Sequence, residues 1–366
     1  MSNSLKNSEN TLEKSAKTLF TKRLMTWNSQ FNRRKMPWKG EKDPYKIWLS
    51  EIILQQTRVE QGLAYYNRFI EKYPNILDLA NAKDEHVFKL WEGLGYYSRC
   101  KNILITARYI AFELGGIFPI HYEEILQLKG VGPYTAAAIA SFAYNQPYAV
   151  VDGNVFRVIA RYFGIDEPTD STTGKFLFTK WANELLLTKE PGLYNQAIMD
   201  FGATVCKPAL PLCATCILSE NCTALAFGKV NVLPVKSKVI QKKYRWFYYF
   251  IFQLNGKTAI MQRANKDIWQ GLHEFYLYES SKEIKWNNTS IDQFLHDQLG
   301  IEEASIIQIS SHKKQQLTHQ QINGQFIEIK LKTMPGALSG LQWMNKSALK
   351  QLAFPRFITA YFEDPL

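Results

Sequence analysis

Leu128-Lys129-Gly130-Val131-Gly132-Pro133-Tyr134-Thr135-Ala136 joins two segments of helical periodicity through a pair of glycines. Gly130 and Gly132 let the backbone turn tightly and bring amide groups up to a ligand with no Cβ in the way. Amides at the start of the following helix then face an anion, and a phosphate suits them. A Gly-x-Gly turn also serves ordinary helix–turn–helix connections, so the surrounding chain decides its meaning. Outward from the turn the dominant period is helical, from Leu19 to about Ala226. Tyr45–Gln61, Glu85–Trp91, Lys101–Leu114, Thr135–Tyr144 and Asn154–Tyr162 carry apolar residues at three- and four-residue spacing. Asp43-Pro44, Tyr73-Pro74, Gly115-Gly116 and Gln146-Pro147 punctuate them. This part reads as all-helical.

The texture changes after Cys222. Residues 229–245 hold Lys229, Lys236, Lys238, Lys242, Lys243 and Arg245, no acid, and little periodicity. A basic linker is expected there, either solvated or facing phosphate. From Trp246 onward, Trp246–Leu254, Thr258–Arg263 and Gln325–Lys332 are aromatic and β-branched, and Asn255-Gly256 is a hairpin signal. Helices over Ile291–Gln298 and near the C-terminus make this a smaller α+β domain. The expected organisation is a polar tail (1–17), a helical domain (18–228), a basic linker (229–245) and the α+β domain (246–366).

A chain of 366 residues with 46% hydrophobic and 14% aromatic residues can fill two cores and lies outside the disordered range. Its net charge of +11 favours an anionic partner, without saying which polyanion. The first residues lack an apolar signal-peptide core, and no run reaches the roughly 18 apolar residues of a membrane span. A soluble, cytoplasmic, monomeric protein with no membrane partner is expected.

Four of the five cysteines, Cys206, Cys213, Cys216 and Cys222, crowd into one C-x6-C-x2-C-x5-C stretch. Four thiolates in one loop can surround a tetrahedral ion or a cubane cluster. Zinc sites more often pair two C-x2-C knuckles, and only one is present. Cys100 stands in a helical segment and reads as a small core residue.

Two acids stand out. In Ser50-Glu51-Ile52-Ile53-Leu54-Gln55-Gln56-Thr57, Glu51 shares a helical stripe with Trp48 and Gln55 amid apolar neighbours, and burial would raise its pKa. A randomly chosen helix glutamate is exposed, so the surrounding string has to reverse those odds. In Val150-Val151-Asp152-Gly153-Asn154-Val155-Phe156-Arg157, Asp152 is placed to cap the helix that begins near Asn154.

These strings, the hairpin, the cysteine spacing and Gly93-Leu94-Gly95-Tyr96-Tyr97-Ser98-Arg99 together closely resemble the MutY family of adenine DNA glycosylases, in the endonuclease III (helix–hairpin–helix) superfamily. The resemblance runs from about Trp27 to Cys222 and more loosely beyond. It implies an all-α helix–hairpin–helix glycosylase domain whose Cys206, Cys213, Cys216 and Cys222 hold a 4Fe–4S cluster, mainly structural in role. It further implies Glu51 as general acid, Asp152 as stabiliser or nucleophile toward an oxocarbenium ion, and Tyr134 and Asn154 as polar supports. Tyr134 occupies the place where bifunctional relatives carry a Schiff-base lysine, so the enzyme should release a base and stop. Gly130 and Gly132 would meet a phosphate. Gln55, Gln56, Thr57, Leu94 and Tyr96 fall where the family contacts the lesion pair, with Tyr96 as a wedge into the base stack. Tyr96 and Tyr97 also read as plain core aromatics, Tyr97 in particular.

Asp267-Ile268-Trp269-Gln270-Gly271-Leu272-His273-Glu274-Phe275 resembles the start of the Nudix-like domain of that family. No R-E-x-x-E-E helix follows, so nucleotide hydrolysis is not expected. Leu317-Thr318-His319 is the nearest match to the family's Phe-Ser-His loop, with Thr318 and His319 as lesion contacts and Leu317 in place of an aromatic. The implied partner is double-stranded DNA containing an A:8-oxoguanine or A:G mispair. A bifunctional oxidised-base glycosylase and a non-catalytic iron–sulfur DNA binder are the rival readings.

Overall fold

The computed structural model describes residues 2–237 and 242–363, with side chains from residue 14 onward. The chain divides into two compact units, Met1–Ala80 with Asn102–Lys238, and Asn81–Lys101 with Val239–Leu366.

The first unit is helical, and its core gathers Phe20, Leu24, Ala138, Val158, Phe178, Ile198 and Phe201. The stretch expected to be a polar tail is helical from Ser2, within a helix running to Gln30. The segment expected over Tyr45–Gln61 is two helices, Pro44–Leu54 and Val59–Lys72. The break falls at Gln56, whose φ of 54° is left-handed; apolar spacing continues through it, which is why periodicity alone does not reveal it. Lys101–Leu114 is the end of an α-helix, Tyr97–Arg108, followed by a π-helical turn at Tyr109–Glu113.

The basic stretch after residue 228 differs from a solvated linker. Leu233 is buried, Val230 and Val235 pack against the helical core, and Thr169 N donates to Val235 O at 3.1 Å. Lys238 lies outside the described residues. Lys243 and Arg245 already belong to a strand, Lys243–Leu254. Arg245 is buried and ion-paired with Asp267 (2.6 Å) and Glu279 (2.7 Å), so it does not face phosphate.

The second unit is built on an 8-stranded sheet. Strands Lys243–Leu254 and Gln320–Leu331 run parallel through it. Asn255 and Gly256, with φ of 49° and 74°, turn the first of them tightly into Lys257–Gln262, the two positive φ values that such a hairpin requires. Helix Asn288–Leu299 packs Ile291, Phe294 and Leu295 against Tyr248, Phe250 and Phe252 of the long strand. The segment Asn81–Lys101 joins this unit: Lys89 Nζ donates to Leu352 O (2.9 Å), and Glu92 Oε1 accepts from Phe354 N (2.9 Å). Among the described residues, no helix is long and apolar enough to cross a membrane.

Gly324 sits opposite Phe247 in the parallel pair, where an added Cβ would come within 1.8 Å of Phe247 O. That oxygen is main chain and cannot move without loosening the ladder. Gly324→Ala is therefore expected to destabilise the protein by about 3 kcal/mol or more. Thermal or denaturant unfolding checks it; an unchanged midpoint would mean the strands are not in this register.

Candidate active site

Asp43 caps helix Pro44–Leu54 by accepting from Tyr45 N at 2.9 Å, and the proline at its start is preset for helix. The helix then carries Glu51 on a buried face beside Trp48, Ile52 and Ile53. Glu51 is 7% exposed. Tyr134, in the first turn of helix Pro133–Tyr144, donates its hydroxyl to Glu51 Oε2 at 2.7 Å. Burial pushes the Glu51 carboxyl up to about 7; the Tyr134 hydroxyl opposes the shift and the charge of Asp152 adds to it. Burial and the neighbouring carboxylates hold the Tyr134 phenol well above its usual range, so it stays a donor.

Asp152 caps helix Gly153–Phe163. Its Oδ1 accepts from Asn154 N and Val155 N, both at 2.8 Å, and its Oδ2 from Asn154 Nδ2 at 2.7 Å. Burial raises this carboxyl, while those donors and the Arg157 guanidinium favour its charged form. The capping role and a place beside Glu51 are thus held by one side chain. Glu51 is buried and Tyr134, Asp152 and Asn154 are half-buried around it: Tyr134 bonds Glu51, Asn154 bonds Asp152, and the charge of Asp152 reaches both Glu51 and Tyr134.

The hairpin closes with Val131 N donating to Leu128 O (3.0 Å), and Thr106 Oγ1 steadies Lys129 O (2.9 Å). Gly130 has φ of 80° and leaves no room for a Cβ, which would meet Asn102 at 2.7 Å. Gly132 is extended and caps the next helix in open space. Gln55 donates to Thr135 Oγ1 at 3.3 Å, and Thr57 Oγ1 to Gln55 O at 3.2 Å, flanking the strained and exposed Gln56.

In the second unit, Leu94 is buried, whereas Tyr96 is 40% exposed and holds a left-handed φ of 49°. A non-glycine residue in that region marks a locally imposed backbone. The Tyr96 hydroxyl is hydrogen-bonded to the Thr318 hydroxyl, joining two positions far apart in sequence. Thr318 and His319 are exposed on a tight turn in which Leu317 N donates to Gln320 O at 2.8 Å. Tyr97 is buried, the core alternative of its two readings.

Cys206, Cys213, Cys216 and Cys222 line one small cavity together with Arg161, Leu212 and Leu225. No three His, Cys, Asp or Glu side chains among the described residues are set to hold a metal ion. Cys100 is buried in the core as expected.

Several participants escaped the sequence reading. Arg157 Nη2 donates to Asn154 Oδ1 (2.8 Å) and Nε to Cys206 O (2.7 Å), fixing the amide that holds Asp152. Met199 Sδ lies 3.7 Å from the Tyr134 hydroxyl. Fully buried Asp200 accepts from Arg34 (3.0 Å), Lys39 (2.9 Å), Asn32 (2.9 Å) and Gln196 (3.1 Å), tying the loop around Trp38 to helix Pro191–Thr204. An acid amid Ala197, Ile198, Met199 and Phe201 was the available signal.

Residues 49–183 match the HhH-GPD superfamily base excision DNA repair protein family, and residues 247–364 match the NUDIX domain family. An adenine DNA glycosylase of Buchnera aphidicola subsp. Baizongia pistaciae is 35% identical over 280 residues, covering 75% of this chain and 79% of the relative. The chain belongs to the adenine DNA glycosylase family. The Mus musculus adenine DNA glycosylase is 41% identical over 229 residues, 59% of this chain and 44% of the mouse protein. A thermostable thymine-DNA glycosylase structure superposes with a TM-score of 0.54 at 29% identity, covering 58% of this chain and 98% of that one. An endonuclease III–DNA complex, at 21% identity and a TM-score of 0.51, covers 58% of this chain and 97% of its own and shares the fold. Adenine DNA glycosylases hydrolyse an N-glycosidic bond in base excision repair, and this glycosylase is a monofunctional enzyme of that class.

Proposed function

We propose that the glycosylase removes adenine paired with 8-oxoguanine, or with guanine, from double-stranded DNA. The observation that carries this reading is the pair of carboxylates: buried Glu51, pushed up to about 7 and hydrogen-bonded by Tyr134, and half-buried Asp152, whose charge it feels. Protonated Glu51 gives its proton to N7 of an extruded adenine, the C1′–N9 bond breaks, and its electron pair leaves with the base. Asp152 faces the positive charge that develops on the sugar, with its own charge kept by donors from Asn154 and Val155. Water then adds to C1′ and releases a proton. Asn154 holds the Asp152 carboxylate, and Tyr134 keeps the Glu51 carboxyl in place. No amine stands at position 134, so no imine forms with the sugar.

Gly130 and Gly132 bring main-chain amides to a backbone phosphate, and Gln55, Gln56 and Thr57 meet the opposing strand near the lesion. Exposed Tyr96 wedges into the stack while Leu94 supports it, and Thr318 and His319 read the oxidised purine. The four cysteines fit a 4Fe–4S cluster better than a zinc ion: they line one small cavity, and only one C-x2-C pair stands among them. Bound there, the cluster would fasten the Cys206–Cys222 loop.

Single-turnover excision on duplexes carrying A opposite 8-oxoguanine, G or T tests the specificity, with alkali to reveal the abasic product. Excision opposite 8-oxoguanine should be fastest. Thr318→Val removes the hydroxyl that meets Tyr96 while keeping its shape, and should narrow the 8-oxoguanine preference about tenfold, the value of one lost hydrogen bond. Equal rates opposite 8-oxoguanine and T in the native protein would refute the lesion assignment.

A further inference from the structure

Arg161 is 3% exposed, and a guanidinium does not shed its proton. Among the described residues its side chain donates to carbonyls and one sulfur: Nε to Leu233 O (3.0 Å), Nη1 to Lys207 O (2.7 Å) and Cys206 Sγ (3.5 Å), and Nη2 to Pro208 O (3.3 Å). Among the described residues no carboxylate is paired with it. A buried charge without a counter-ion is costly, so the fold has to supply an anion nearby. The sulfur in reach is Cys206 Sγ, which is a thiolate when it ligates a cluster. The Arg161 carbonyl also lies 3.5 Å from Cys222 Sγ, so this one residue touches the first and the last of the four cysteines.

We propose that Arg161 is the positioning residue of the cysteine loop and the counter-charge of the thiolate set. Its fork pins the chain where it leaves Cys206, its Nε pins the segment after Cys222, and its charge offsets that of the thiolates. This rests on the reading that the four cysteines hold an iron–sulfur cluster, whose thiolate-bound form carries net negative charge. Arg157, one helical turn earlier, donates to the Cys206, Gly153 and Gly202 carbonyls and to Asn154 Oδ1, and to no sulfur among the described residues. The hydrogen bond to a sulfur belongs to Arg161.

The test uses the full chain purified with its cluster, and reads iron and acid-labile sulfide, the rate of cluster loss to a chelator, and the reduction midpoint. Arg161→Met should lose the cluster about 10–100-fold faster than the native protein, the usual cost of removing a group that supports a metal ligand. Its midpoint should move to a more negative potential, because a positive charge beside the cluster favours reduction. Arg161→Lys keeps the charge but loses the fork, so its cluster should be lost faster with the midpoint near native. A native lifetime and midpoint in Arg161→Met overturn the proposal, as do equal midpoint shifts in Met and Lys variants, which would make shape rather than charge decisive. Should Arg161→Met fail to fold, Arg161→Lys decides alone: a native lifetime or a shifted midpoint sinks the idea. Native protein without iron and sulfide would remove the cluster reading itself, an outcome distinct from a cluster that ignores Arg161.

Discussion

Glu51→Gln is expected to lose about 10²–10⁴-fold in adenine excision and yet to be more stable than the native protein at neutral and alkaline pH. The two effects share one cause. Unfolded, the carboxyl titrates near 4.5; folded, burial holds it to about 7. Below pH 4.5 it is protonated in both states and exerts no pH-dependent pull. Between 4.5 and 7 the unfolded chain sheds the proton while the folded chain retains it, so stability falls as pH rises. Above 7 the deficit is complete, at about 3 kcal/mol. Glutamine has the same shape, accepts the Tyr134 hydroxyl and cannot ionise, so it removes the deficit together with the acid. Denaturant unfolding of both proteins near pH 5 and pH 8.5 should show a gap that opens with pH, and native excision should decline as pH rises through about 7. Retained excision by the variant, or a stability gap that does not grow with pH, would contradict the assignment of Glu51 as a buried proton donor.

Much of this arrangement is readable from the chain because it depends on local chemistry. Asp152 before Gly153-Asn154-Val155 is a cap by composition, and the structure has it capping. Glu51 among Trp48, Ile52 and Ile53 reads as buried, and is. Asn255-Gly256 turns where a two-residue hairpin signal stands. What escaped depends on tertiary pairing. Arg157 and Arg161 look like two solvated cations on a helix until the cysteine loop and Leu233 are folded over them. Asp200 meets Arg34 and Lys39 across more than 160 residues, which no spacing rule reaches. The break after Leu54 was invisible because hydrophobic periodicity reports which face is buried, not whether one helix or two provide it. Likewise, the lysines after residue 228 advertised a linker and outweighed Val230, Leu233 and Val235, the apolar residues that dock it.

Asp152→Asn should separate the charge of that residue from its place in the fold. Asparagine is as good a cap as aspartate, and its Oδ1 can still accept from Asn154 N and Val155 N. The other atom becomes an NH₂ facing Asn154 Nδ2, donor against donor at a site now spanned by 2.7 Å. Asn154 cannot relieve this by flipping, because its Oδ1 already accepts from Arg157 Nη2. The fold should therefore lose only about 1–2 kcal/mol, the cost of one unsatisfied buried group. Excision should fall much further, by about 10²–10³-fold or more, since a neutral amide no longer offsets the positive charge on the sugar. The surviving activity carries a second signature. The Asp152 charge is one of the forces holding the Glu51 carboxyl high, so its removal should move the alkaline limb of the pH–rate profile toward lower pH. Asp152→Ala, which removes cap and charge together, should add roughly another 1 kcal/mol of instability without slowing the residual reaction further. Near-native excision by Asp152→Asn would mean that the carboxylate is only a cap, and the chemistry would need another anion beside the sugar.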